Sequence, residues 1–485
     1  MADDPQLRVP VLTGPLLPLL PPKPLSRQLP ALPTRGSDAA IAAGWTCESL
    51  VIPAAYPRSF RHATKKPDEP SPDPTRGSTP KPDLTKGFGR LLETAVDSYT
   101  RPVRLEDEDE LERQQQLIIV GNRYRPPASR RVAARDAGPG LTLVLSHANG
   151  FYKGETARTD LVRARPFTEV WEPMLADLLA ELEQRQAHPV EEIWSLDCAL
   201  QGDAAVLNED VIGSTYNWAE NGRDLLNFIA YHLDSQDDQV PQLRAADVPP
   251  DVGHLDKVST IDPGPADPMK RTYRQRLIVG IGHSLGGSAT AFAATACPSF
   301  FSSLILIDPV LAPPHSSSPE RTAAVAMGAL RRRGVWKSRE EARRQFKAKP
   351  FFQSWDPRIL EGYVQHGLTE TAEGSVELKA RPFYEAVTFM DVLSSASRRA
   401  TTRLSSLTRN LPLHYIFAEE GRSMLPEPAT TYLVSEATPH ATWTRVRGAG
   451  HLVSLEKPRE TAVCVADFLE KTYPAQRTRP TEAKL

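Results

Sequence analysis

The sequence predicts an α/β protein, a mostly parallel sheet with helices on both faces and a helical insertion late in the chain. Two observations predict it. Short apolar runs of strand length recur at residues 117–120, 141–145, 192–196, 277–281, 304–307, 413–417 and 442–446. Several are apolar at consecutive positions, as strands buried on both faces require. Helix-like segments separate them: Trp218, Leu225, Leu226, Ile229 and Leu233, for example, keep a helical period. Strands alternating with helices indicate a parallel sheet with both faces covered.

Length and composition bound the function classes. At 485 residues the chain suits one large domain carrying insertions, and 40% apolar residues suffice for a sizeable core. Lys+Arg 58 against Asp+Glu 60 gives a net charge of -2, which argues against an extended nucleic-acid footprint. The four cysteines (Cys47, Cys198, Cys297, Cys464) have no CxxC spacing, so neither a disulfide scaffold nor a zinc site is expected. No segment approaches the roughly 18 continuous apolar residues of a membrane span. The acidic start Met1-Ala2-Asp3-Asp4, and prolines interrupting the apolar run 9–20, count against a cleavable secretory peptide. Free thiols then fit a reducing, intracellular address.

Taken in order, residues 1–45 are a proline-rich arm, since 17 of the 45 prolines fall within 1–82 and suit an extended segment better than a helix. The core begins at 46 and runs to 308. Residues 59–86 hold few core-forming side chains and read as a mobile loop; with the stretch to 100 they make a flexible insertion, 59–100. A second insertion, 234–273, carries eight aspartates without EF-hand register and reads as solvated rather than calcium-binding. Residues 309–405 read as a helical cap: Ser338 and Glu341 form a capping-box pattern, and Asp356-Pro357 with Gly367 brackets another helix. The core resumes over 406–474, and 475–485 is a flexible tail.

The chemistry gathers at a few positions. Residues 277–281 run into Gly282-His283-Ser284-Leu285-Gly286, a G-x-S-x-G between a buried strand and a small-residue helix. Such a turn strains the central serine, making Ser284 the candidate nucleophile. A serine needs a base. His451, on the glycine-flanked loop Gly448-Ala-Gly450-His451 beyond the last strand, is the candidate. His283 is assigned to packing. For the acid, Asp308 ends the strand 304–307 and is favoured, while Glu419 or Glu420, at the end of the next strand, stays open. An oxyanion needs two backbone donors. The N–H of Leu285 is one, and the loop Ser146-His147-Ala148-Asn149-Gly150-Phe151 supplies the other, with Asn149 the preferred donor and Gly150 beside it. Phe151 and Tyr152 are candidates for lining an acyl pocket, against the plainer reading of packing.

These motifs, with Gly450-His451-Leu-Val-Ser-Leu-Glu-Lys-Pro, resemble the α/β-hydrolase superfamily. Together with the ending Ala483-Lys484-Leu485, which resembles a C-terminal peroxisomal address, they resemble its fungal peroxisomal branch of lipases and acyl-CoA hydrolases. The resemblance covers roughly residues 110–470. It implies a Ser284–His451–Asp308 triad, no cofactor and no metal, and hydrolysis of a lipid, fatty-acyl or polyketide-acyl ester or thioester. Expected partners are the acyl substrate and, at Ala483–Leu485, a peroxisomal import receptor; a homodimer is compatible with the sequence.

Other classes remain to be weighed. Gly280-Ile-Gly282 after a strand suggests dinucleotide binding but fails at Leu285, where a third glycine belongs. A non-catalytic ligand-binding protein on the same fold is the alternative, because fold alone never proves activity. Arg331-Arg332-Arg333 offers a contact for a phosphorylated carrier such as CoA, against the ordinary reading of a solvated helix face.

Overall fold

A computed structural model describes residues 17–25, 27–29, 41–73, 84–127, 139–153, 170–233, 276–314, 316, 319–390, 396–407 and 411–474. Most of the arm, the insertion 234–273 and the tail 475–485 lie outside the described residues.

Eight strands form the central sheet. They are β1 (Thr46–Pro53), β2 (Ile118–Arg125), β3 (Leu141–Ser146), β4 (Val190–Leu196), β5 (Leu277–His283), β6 (Ser303–Ile307), β10 (Leu413–Phe417) and β11 (Thr442–Arg445). Their order is β1-β2-β4-β3-β5-β6-β10-β11. The six strands from β4 to β11 pair in parallel, whereas β1 and β2 pair antiparallel with their neighbours. Strand period 2 divides the apolar side chains between two cores. Ile278, Leu304 and Leu306 face one, and Val279, Ile281, Ile305 and Ile307 face the other. Strand β1 escapes the sequence reading because its first half, Thr46-Cys-Glu-Ser49, is largely polar; pairing with β2 over its whole length overrides that composition.

The expectation of a flexible insertion over 59–100 needs correcting. Leu84–Thr100 is an α-helix. Its Leu91, Ala95 and Tyr99, at helical spacing, are buried, and Tyr99 packs edge-on against Phe60 with ring centroids 4.7 Å apart. Residues ahead of the helix are held as well: Lys65 N–H donates to the Val211 carbonyl at 2.9 Å. The polar, proline-rich stretch 61–83 obscured a helix whose apolar stripe begins only at Phe88.

Between β6 and β10 lies the insertion expected to be helical. It holds helices Pro319–Arg331, Arg339–Lys347, Pro357–His366, Pro382–Met390 and Ala396–Leu404, but also a small antiparallel sheet. That sheet has β7 (Val335–Trp336), β8 (Leu368–Glu370) and β9 (Val376–Leu378) in the order β7-β9-β8. Its strands are two or three residues long, too short for a periodicity signal. Ser338 caps its helix by accepting from Glu341 N–H at 3.2 Å, and Asp356 accepts from Arg358 N–H at 2.8 Å. Phe346, Phe352, Trp355 and Tyr363 pack into one aromatic cluster, and Phe151 from the core joins it 5.5 Å from Trp355.

A packed 84–100 helix makes Tyr99→Ala costly: it should lose about 3–5 kcal/mol, the usual cost of truncating a buried aromatic side chain. Urea unfolding of the purified chain measures this, and a change below about 0.5 kcal/mol would restore the loose-insertion reading.

Candidate active site

Strand β5 ends in a turn that only glycine allows on either side of Ser284. Ser284 sits at φ 55°, ψ -114°, a strained conformation for a residue with a Cβ. A Cβ on Gly282 would stand 2.3 Å from the Gly286 carbonyl oxygen, and one on Gly286 would stand 2.1 Å from that of Ser146. The surroundings hold the strain in place. Ser284 N–H donates to Ile307 O at 3.0 Å, and Ser284 O accepts from Val310 N–H and Ser288 N–H, each at 3.2 Å.

Three side chains named from the sequence meet here. His451 Nε2 lies 2.9 Å from Ser284 Oγ, and its Nδ1 lies 2.6 Å from Asp308 Oδ2. An ionised carboxylate only accepts, so Nδ1 carries the proton and Nε2 is left to accept from the serine hydroxyl. Asp308 is buried and also accepts from Ala418 N–H at 3.1 Å, Ser423 Oγ at 3.0 Å and Met424 N–H at 3.3 Å. Burial pushes its pKa up, but the hydrogen bond and charge of His451, with the Ala418 and Ser423 bonds, carry it below the ordinary Asp value. The open alternatives lie elsewhere. Glu419 approaches Arg422 at 3.7 Å, and Glu420 is exposed.

His283 corrects the sequence reading. Its Nε2–H donates to the carbonyl of His451 at 2.9 Å, and Nδ1 accepts from Ser454 Oγ at 3.2 Å. The residue before the serine therefore holds the backbone of the histidine loop. Burial, with the His451 charge adding, lowers its pKa to about 3, so it stays neutral. Strand alternation turns His283 away from Ser284, which was legible; its partner 168 residues on was not.

The loop after β3 docks on the turn through Gly286 N–H to His147 O at 3.1 Å. His147 Nδ1–H donates to the Ala148 carbonyl at 2.8 Å while Nε2 accepts from Cys198 N–H at 3.1 Å. Phe151 N–H reaches the same Ala148 carbonyl at 3.3 Å. Since a trans peptide sets C=O and N–H on opposite sides, fixing that carbonyl fixes the direction of the Asn149 N–H. Asn149's side chain is anchored too, donating to Glu385 O at 3.3 Å and accepting from Gln201 Nε2. Leu285 N–H opens a helix, where no intrahelical partner exists. Gly150 departs from expectation. Its N–H is taken by Gln201 Oε1 at 3.2 Å, and it is glycine because φ is +81° and a Cβ would meet Glu385 Oε1 at 2.8 Å. Phe151 and Tyr152 are buried against Tyr363, so packing describes them.

A buried charge cluster beneath this loop had no sequence signal. Lys153 Nζ and Lys379 Nζ each lie 2.8 Å from Asp203, and Asp197 accepts from Lys153 N–H at 2.6 Å and Asp203 N–H at 2.9 Å. Burial raises the Asp197 pKa against the pull of Lys153, with Asp203 adding to the rise. Among the described residues, no group of three or more His, Cys, Asp or Glu is arranged to hold a metal ion.

The model of the alpha/beta hydrolase family matches residues 143–463. An abhydrolase domain-containing protein of Alternaria alternata, ACTT2-1, is 26% identical over 225 residues, covering 41% of this chain and 84% of that protein. The type I acyl-CoA thioesterase mpaH of Penicillium brevicompactum is 29% identical over 200 residues, covering 41% of this chain and 36% of the relative. Among solved structures, the peroxisomal alpha-beta-hydrolase Lpx1 of Saccharomyces cerevisiae superposes with a TM-score of 0.58 at 17% identity, over 92% of this chain and 94% of that one.

The depressed Asp308 pKa carries a sign for stability. A carboxylate whose folded pKa lies below its unfolded value stabilises above the unfolded value, about 3.9 for Asp, and loses that contribution as pH falls through the folded one. Urea unfolding from pH 6 downward should therefore show a steeper loss of stability for the wild type than for Asp308→Asn; parallel curves would mean that the carboxylate is not held ionised by its donors.

Proposed function

The chain belongs to the alpha/beta hydrolase family, and from that premise we propose that it is a serine hydrolase that cleaves an acyl thioester or carboxylic ester through an acyl-enzyme. One observation carries the reading: His451 bridges Ser284 at 2.9 Å and Asp308 at 2.6 Å. Ser284 Oγ attacks the carbonyl carbon as its proton passes to His451 Nε2. Asp308 keeps the imidazole oriented and offsets the positive charge that forms there. The N–H groups of Leu285 and Asn149 stabilise the oxyanion. The tetrahedral intermediate collapses, and His451 returns the proton to the departing thiol or alcohol. Water, deprotonated by the same imidazole, then releases the acid. The acyl-CoA thioesterase name of the Penicillium relative supports a thioester as the substrate.

We place this activity in the peroxisome, on the Ala483-Lys484-Leu485 ending and the name of the Saccharomyces protein that shares the fold, a peroxisomal alpha-beta-hydrolase. The import receptor is the corresponding partner.

An acyl-CoA panel with single-turnover kinetics tests the chemistry. Ser284→Ala should lose about 10⁶-fold in kcat with its unfolding midpoint unchanged. Asp308→Asn should lose about 10⁴-fold while Glu420→Gln stays near wild type; substantial turnover by Ser284→Ala would remove the nucleophile, and the reverse order of the acids would move the triad. For the address, a fluorescently tagged chain lacking Ala483–Leu485 is expected in the cytosol of a host whose peroxisomes take up the intact chain. Import of the truncated chain would refute that localisation signal.

A further inference from the structure

The helix Gly202–Asn208 opens on an unusual residue. The N-cap position favours a short polar side chain that bonds back to the first turn. Gln201 occupies it, and its side chain makes no bond of that kind. Asp197 serves the helix instead, accepting from Asp203 N–H at 2.9 Å. Glycine at 202 leaves room for this, since φ is +63° and a Cβ would stand 2.5 Å from the Asp197 carboxylate. The Gln201 carboxamide, fully buried, is thereby released from its own helix.

Both ends of that carboxamide go to the loop after β3. Its Oε1 accepts from Gly150 N–H at 3.2 Å, and its Nε2 donates to Asn149 Oδ1. Asn149 Nδ2 in turn donates to the Glu385 carbonyl at 3.3 Å. A backbone N–H only donates and a backbone carbonyl only accepts. These two ends therefore fix the sense of both side-chain amides between them, and neither can turn over without setting like groups face to face.

Residue 149 is held from both sides as a result. His147 and Phe151 fix the carbonyl of the peptide before it, and Gln201 fixes the N–H of the peptide after it. Gly150, at φ +81°, has no Cβ to resist rotation, so the stiffness of the loop here comes from its hydrogen bonds. The loop offers two consecutive N–H groups. Gln201 consumes that of Gly150, whereas among the described residues that of Asn149 meets no acceptor.

We propose that Gln201 is a positioning residue for acyl transfer: it withdraws the Gly150 N–H and holds the Asn149 N–H in place for the developing oxyanion. This rests on the reading of Ser284 as nucleophile with Asn149 as oxyanion donor. Donors aimed in advance act on the transition state more than on the bound substrate. Losing Gln201 should therefore slow acylation with little change in substrate affinity. A glutamine that only completed the packing would affect stability and leave the rate of folded molecules alone.

Single-turnover acylation of the full chain tests this, with p-nitrophenyl butyrate or butyryl-CoA, whichever the wild type turns over faster. Gln201→Met keeps the length and removes both polar groups. Its acylation rate per folded molecule should fall about 10²-fold, the cost of a small misplacement, while the half-saturating concentration changes less than about twofold. Affinity for the trifluoromethyl ketone of matching chain length, whose adduct with Ser284 bears an oxyanion, should fall by the same factor as the rate. An unchanged rate, a loss carried by half-saturation alone, or an unaltered ketone affinity overturns the proposal.

If the methionine variant does not fold, the nearly isosteric Gln201→Glu decides. A buried carboxyl holds its proton above the ordinary Glu range. Protonated, it offers an acceptor to Gly150 N–H and a donor to Asn149 Oδ1; ionised, it offers acceptors only. Its acylation rate relative to wild type should therefore fall as the pH is raised from about 6 to about 9. Titration of the neighbouring His147, Asp197 and Glu385 is common to both proteins and cancels in the ratio. A ratio independent of pH overturns the proposal. Failure of the nucleophile reading looks different: a wild type that hydrolyses no acyl substrate, or full activity of Ser284→Ala, removes that reading and this proposal with it.

Discussion

The site depends on one buried carboxylate being kept charged. An ionised Asp308 without partners would be too costly to bury, so the fold surrounds it with donors: His451 Nδ1, the N–H groups of Ala418 and Met424, and the Ser423 hydroxyl. These come from the loop after β10 and the loop after β11, and Asp308 itself closes β6 with its N–H on Ile416 O. Three adjacent strand ends are thereby drawn to one point. The orientation of the imidazole, and through it the hydrogen bond to Ser284, follows from that convergence. The same neighbours hold the strained Ser284 backbone, since Ile307 and Val310, on either side of the acid, bond to it.

That dependence explains which parts of the site were legible in the sequence. Ser284 and His451 stood out because punctuation marks them: a buried strand, glycines at fixed offsets, then a small-residue helix or a tight loop. Asp308 and Glu420 were harder to separate, since both end strands at the same edge of the sheet. What separates them is the ring of donors at 418–424, which favours an acid on the preceding strand and leaves Glu419 and Glu420 on the rim. No local pattern announces that ring. The fold class was readable from consecutive apolar runs, as family membership and topology bear out. The polar-fronted β1 and the helix Leu84–Thr100 were hidden by composition that pairing and packing overrule.

The supports of the oxyanion loop were invisible for another reason: they are long-range. His147 is oriented by a backbone N–H 51 residues away, and Lys153 by an aspartate 50 residues away. Lys379 reaches Asp203 across 176 residues. Asp203 takes both lysine ammonium groups, and any of these buried charges alone would be expensive, so the members support one another. Single-residue reading finds only four ordinary charged positions there.

Lys379 and Glu385 both belong to the stretch between β6 and β10, and both bear on the loop that carries Asn149. The backbone donors of that loop are therefore set by the sheet from below and by the insertion from above. Gln201 links the two by holding Gly150 N–H and the Asn149 side chain together. Backbone donors stabilise a developing oxyanion only when they are already aimed, and displacement by about an ångström is enough to lose much of the effect. The hydrogen bond from the Asn149 side chain to Glu385 O therefore makes the insertion one of the supports on which the aim of the proposed donors depends.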